Sequence, residues 1–152
     1  MKKFLCLFIV TILYVPANSY GKDDAVCIDT AFKLVGANHK VCVFTFQDPL
    51  IQEITCKISH ARTGGIGGTL GVAEDIARFS LSCVQTADIK QLPKLKEKEE
   101  VYKQSTDMFF KKTKVYRIVQ DDSVITYLAI SDKLIDGSPF NSISAVAIKK
   151  EK

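Results

Sequence analysis

Histidine is scarce in this chain, with only His39 and His60 among 152 residues. Cysteine never occurs as C-x-x-C, so zinc and thioredoxin-like chemistry lack ligands at the spacing they need. There is no G-x-x-x-x-G-K-[ST] loop to cradle a nucleotide phosphate and no G-x-S-x-G elbow to present a nucleophilic serine. Charge of one sign barely predominates: the formal net charge is +4 and falls to about +2 once Lys2 and Lys3 are set aside. That bias is too weak to draw nucleic acid or anionic lipid. Beyond the N-terminus no apolar run approaches the roughly 20 residues that a membrane-spanning helix requires.

What is present begins with MKKFLCLFIVTILYVPANSYG. Lys2 and Lys3 form a positive start, Phe4 to Val15 an apolar stretch, and Ala17 to Gly21 a small-residue segment. This order predicts a signal peptide over 1–21 and export of residues 22–152 as a single domain. The apolar stretch stops short of a membrane anchor at Pro16, and Cys6 lies inside it rather than just after it, which does not suit lipid attachment. The expected location is the periplasm, with no membrane span after cleavage. The four cysteines that remain, Cys27, Cys42, Cys56 and Cys83, are an even number in a small exported domain, which points to disulfides.

The dominant hydrophobic period is two. In VCIDTAFKLV, residues Val26, Ile28, Phe32 and Leu34 share one face and Asp29 and Lys33 take the wet one. VCVFTF is apolar on both faces, and QDPL is a turn in which aspartate bonds locally. IQEITCKIS, RFSLSCVQ, MFFKKTKVYRIVQ, VITYLAI and ISAVAI read as further strands, with QDDS and SDKLIDGSPFN as connections. The expectation is a mainly β fold, an antiparallel sandwich or open barrel of about seven strands with a glycine-rich loop and at most one or two short helices. GVAEDIARF is one helical candidate. KLKEKEEVYKQ is the other, read as a solvated connector with a Glu99–Lys103 pair in the favourable order.

Cys56 and Cys83 each fall on the apolar face of their strand, which favours a buried bridge between them and leaves Cys27 to Cys42. A loop of about 27 residues closed in this way contributes ~3–4 kcal/mol in the chain-entropy model. A hairpin centred on Pro49 would instead set Cys42 opposite Cys56, so two schemes stand at this point. In either, the cysteines are consumed, and a thiol nucleophile is disfavoured.

Five of the eight glycines lie in ARTGGIGGTLGVAED. Gly65, Gly67 and Gly71 give G-x-G-x-x-x-G after a strand, and Asp88 ends the next strand, superficially as a dinucleotide site does. Export, alternating strands and the flanking Cys56 and Cys83 oppose that reading. The expected cofactor set is none, with no metal. His60 and Arg62 flank the loop as either an anion site or an ordinary surface pair. Glu74 and Asp75 suit a helix start better than an acid–base pair.

The segments ITCKISHARTGGIGGTLGVAED, LSCVQ and YLAISDKLIDGSPFNSISAV together resemble the CreA family of small exported proteins of Gram-negative bacteria. The resemblance implies a periplasmic protein, carries no assigned activity, cofactor or catalytic residue, and supports the Cys56–Cys83 pairing, whereas Cys27 and Cys42 depart from the family's usual pattern. The resulting expectation is a non-enzymatic binding role in the cell envelope, with an envelope protein, a glycan or a small molecule as partner. Its candidate recognition residues are His60, Arg62, Thr63, Gly64, Gly65, Glu74 and Asp75 on one loop, and Asp132, Lys133, Ser138 and Asn141 on another. An envelope enzyme using the same polar loops is the alternative.

Overall fold

The computed structural model describes residues 25–32, 34, 38–62, 64, 79–105, 112–135 and 138–151. Eight strands follow in chain order: β1 (Val26–Ala31), β2 (His39–Gln47), β3 (Ile54–Arg62), β4 (Phe79–Gln85), β5 (Lys98–Ser105), β6 (Lys112–Val119), β7 (Val124–Ile135) and β8 (Ser138–Ala147). They form two antiparallel sheets, β1-β2-β3-β4 and β5-β6-β7-β8, and no helix occurs among the described residues. The mainly β sandwich expected from the sequence is therefore found, with eight strands rather than seven and as an open sandwich rather than a closed barrel.

Period-two alternation builds the core. Cys42, Phe44 and Phe46 on β2, Ile54, Cys56 and Ile58 on β3, and Phe79, Leu81 and Cys83 on β4 all turn inward. They meet Tyr102, Val115, Ala129 and Val146 of the second sheet. Phe46 stacks on Tyr102 with ring centroids 4.1 Å apart, and Phe79 meets Phe140 edge-on at 5.2 Å.

The sheets are also joined along one edge. The amides of Leu81 and Cys83 on β4 donate to Ser142 Oγ (3.0 Å) and Ser144 Oγ (2.9 Å) on β8. Gln85 continues this line: its Nε2 donates to Lys149 O and its Oε1 accepts from Lys149 N, both at 2.8 Å. Serines two residues apart share a face, so two hydroxyls satisfy an edge that would otherwise expose unpaired donors. These contacts run β4 alongside β8 in the same direction. The last residues of β1, β3, β5 and β7 and the first residues of β2, β4, β6 and β8 consequently lie at one end of the sandwich.

The opposite end is closed by turns and a buried ion cluster. Asp48 Oδ1 accepts from the amides of Leu50 (2.9 Å) and Ile51 (3.1 Å), the local bonding its QDPL context predicts. The same carboxylate reaches the other sheet: Arg117 Nη1 donates to Oδ1 at 2.5 Å and Tyr127 OH donates to Oδ2 at 2.8 Å. Arg117 Nη2 also bonds Glu99. Arg117 and Asp48 are 0% exposed, a placement tolerable only because each charge is paired and hydrogen-bonded. Burial, with the Asp48 carboxylate beside it, pushes the Tyr127 phenol far above its usual range.

Three expectations are corrected. KLKEKEEVYKQ is not a helical connector, because its second half is β5. A bulge between Glu100 and Tyr102 buries both Val101 and Tyr102, which breaks the alternation that would have revealed a strand. Glu99 pairs with Arg117 and with Lys96 (3.1 Å) instead of Lys103. The apolar face of β1 is not the dry one: Val26 is 71% and Ile28 69% exposed, as are Phe32 and Leu34 beyond the strand. Cys27 must share a face with Cys42, and a period of two then turns Val26 and Ile28 to the other side; both sides of this edge strand are exposed. SDKLIDGSPFN is not a long connection, since β7 runs to Ile135 and β8 starts at Ser138. GVAEDIARF lies outside the described residues but for its final Phe79, which begins β4.

The disulfides are Cys27–Cys42 and Cys56–Cys83, each joining directly opposed residues on adjacent strands. The Cys42–Cys56 alternative fails on register. The β2–β3 turn is centred two residues beyond Pro49, so Phe46 faces Cys56 and Cys42 faces His60.

Candidate functional site

At the end where β3, β5 and β7 finish and β6 starts, the inner faces change from apolar to polar. Alternation carries β3 from Ile58 to His60 and then Arg62. It carries β5 from Tyr102 to Gln104, β6 from Val115 to Thr113, and β7 from Ala129 to Ser131. His60, Gln104, Thr113 and Ser131 are all buried. Four strands from both sheets thus place polar side chains in one layer above the hydrophobic core.

His60 lies between Phe44 and Phe79, with ring centroids at 5.8 and 5.7 Å. Burial lowers its pKa to about 4, and the adjacent Arg62 charge adds to the effect. Gln104 faces the ring and opposes the shift, but no hydrogen bond of proper geometry joins them, since His60 Nε2 and Gln104 Oε1 are both buried without a partner. The imidazole is consequently neutral at pH 7. The Arg62 guanidinium lies 5.6 Å over the Phe44 ring, a cation–π geometry, while its Nε is buried and unpartnered. Lys40 stands directly opposite Arg62 across the β2–β3 ladder. Gly64 N donates to His39 Nδ1 at 3.2 Å, tying the chain after β3 back to the start of β2.

Of the residues singled out from the sequence, His60, Arg62 and Gly64 come together here. His60 is buried, so the ordinary surface pair is not what forms. Asp132 is elsewhere: it is exposed and bonded to Lys114 Nζ at 3.1 Å, which raises the lysine's pKa. Lys133 belongs to β7, and Ser138 and Asn141 are exposed on β8. Asn141 Nδ2 makes only a long bond to Pro139 O, 3.4 Å. These four are strand residues, not a second loop. Thr63, Gly65, Glu74 and Asp75 lie outside the described residues. Lys40, Gln104, Thr113 and Ser131 escaped the sequence reading. Lys40 continues the inward series of Cys42 and Phe44, a signal that was available; Gln104 was hidden in a segment that looks helical.

Among the described residues no group of three or more His, Cys, Asp or Glu side chains could hold a metal ion. No helix among them is long and apolar enough to cross a membrane.

Two stacked antiparallel sheets, two cross-strand disulfides and a polar layer at one mouth define a small disulfide-bonded β-sandwich. The CreA protein family matches this chain over residues 25–151. Protein CreA of Escherichia coli strain K12 is 41% identical over 126 residues, covering 80% of each chain, and Protein CreA of E. coli O157:H7 is similar to the same extent. No solved structure matches. The chain belongs to the CreA family.

Proposed function

We propose that this CreA-family protein is exported to the periplasm, with residues 1–21 removed as a signal peptide and residues 22–152 acting as one domain. Its role there is non-enzymatic binding in the cell envelope, through the polar mouth, with a protein, glycan or small molecule as partner. The observation that carries this reading is the trio of buried, unpartnered polar atoms at one end: His60 Nε2, Arg62 Nε and Gln104 Oε1. Such a group costs about 1–3 kcal/mol when left without a partner, and a bound ligand would remove that cost. The two disulfides are compatible with an oxidising compartment.

The test is mild crosslinking in the periplasm followed by purification and intact-mass analysis, comparing the natural chain with the double variant H60F/Q104L. A partner or co-purified small molecule lost in the variant, with the fold retained by circular dichroism, supports the reading. An unchanged partner set, or none in either protein, counts against it. Detection of the uncleaved chain in the cytosol with reduced cysteines would refute export.

A further inference from the structure

We propose that the mouth is an oxyanion site, in which Lys40 and Arg62 hold a carboxylate or phosphate group while His60 and Gln104 bond the polar atoms beside it. This rests on the binding reading above and names the chemistry of the ligand.

Three observations carry it. First, the ladder places Lys40 and Arg62 directly opposite each other on the inner face of the first sheet. Like charges in that position repel, and both residues are half-buried, where screening by water is reduced. Second, neither cation has a carboxylate within ion-pair distance among the described residues; the ion pairs there belong to Lys96, Lys114 and Arg117. Asp29 is the cross-strand neighbour of Lys40 on its far side, yet its carboxylate makes only a 3.5 Å bond with Asn38 Nδ2. Third, Arg62 Nε, a donor, is buried and unpartnered, as are His60 Nε2, two residues before it on the same face of β3, and Gln104 Oε1 of the residue facing that imidazole. An oxyanion accepts from the guanidinium and ammonium and separates their charges. A hydroxyl or N–H next to it on the same ligand donates to Gln104 Oε1.

The contrast with Arg117 sharpens the point. Arg117 is fully buried and has two carboxylates, although its Nε too lacks a partner; Arg62 is half-buried over the Phe44 ring and has none among the described residues. One arginine is neutralised by the fold, and the other awaits an external anion.

The experiment uses the oxidised full-length mature chain, titrated by amide and imidazole NMR with sodium phosphate, sodium acetate or sodium lactate, against sodium chloride at matched ionic strength. The expected result is saturable shifts confined to Lys40, His60, Arg62 and Gln104 with the oxyanions and none with chloride. Tighter binding of phosphate identifies a phosphate-bearing ligand, and tighter binding of lactate than acetate identifies a hydroxy-carboxylate. On saturation the His60 pKa rises from its low value, because the bound charge favours the imidazolium. K40M and R62M each weaken binding about tenfold or more; R62K retains part of it and checks that loss is not misfolding; K114M leaves it unchanged. Chloride-like, unsaturable behaviour of all three oxyanions, or saturable binding that R62M and K40M do not alter, overturns the proposal. If the oxyanions fail yet a partner still depends on His60 and Gln104 in the periplasm, the anion assignment falls and the binding role stands.

Discussion

Replacing His60 by phenylalanine should flatten the acid sensitivity of this protein. The imidazole is 5% exposed and sits between the rings of Phe44 and Phe79, so a phenyl group fits the site. In the unfolded chain His60 takes up a proton near its ordinary pKa of 6.5; in the folded protein, burial and Arg62 delay this to about 4. Between those values the unfolded state binds a proton that the folded state refuses. The associated stability is whole above pH 6.5 and declines as pH falls towards 4, by about 3 kcal/mol in all. Carboxylates titrate across the same range, but they do so in both proteins and cancel in the difference. Urea unfolding followed by circular dichroism at several pH values from neutral to 4 gives the two curves. The natural protein should lose about 3 kcal/mol more than H60F. Parallel curves would refute the claim that a neutral, desolvated imidazole occupies this layer.

Arg117→Met leaves Asp48 buried without its cation and should cost about 3–5 kcal/mol in urea unfolding; the double variant R117M/D48L should not recover that loss, because Asp48 also accepts from the Leu50 and Ile51 amides and the Tyr127 hydroxyl. Ser142→Ala with Ser144→Ala strips acceptors from two β4 amides, at about 1–3 kcal/mol each, and hydrogen exchange should quicken at Leu81 and Cys83. Cys27 is exposed whereas Cys42, Cys56 and Cys83 are buried, so a small dithiol should reduce Cys27–Cys42 first, read as two alkylation adducts by mass. The pair C27A/C42A should lose about 3 kcal/mol from its loop of 15 residues, and C56A/C83A somewhat more, from its loop of 27.

Much of the fold is legible from alternation. The series Cys42-Phe44-Phe46, Ile54-Cys56-Ile58 and Phe79-Leu81-Cys83 name their own inward faces, which favour the Cys56–Cys83 bridge, whereas the register of β2 on β3 is what excludes Cys42–Cys56. The candidate site is legible only in part. His60 and Arg62 stand out because they flank the glycine-rich loop. Gln104 does not, because a bulge hides its strand. The Asp48–Arg117–Tyr127 cluster joins residues 69 and 79 positions apart, and no local pattern links an aspartate in a turn to an arginine so distant.

The sequence by itself determined most of the strands, with β5 the exception, and the even set of cysteines, because side-chain alternation and residue count are local properties of an extended chain. Tertiary structure decided that both faces of β1 are exposed, that Ser142 and Ser144 seal the β4 edge, and that Lys40 opposes Arg62. Each of those depends on register and on which edges meet, and register is set by the sum of contacts across two sheets rather than by any one segment.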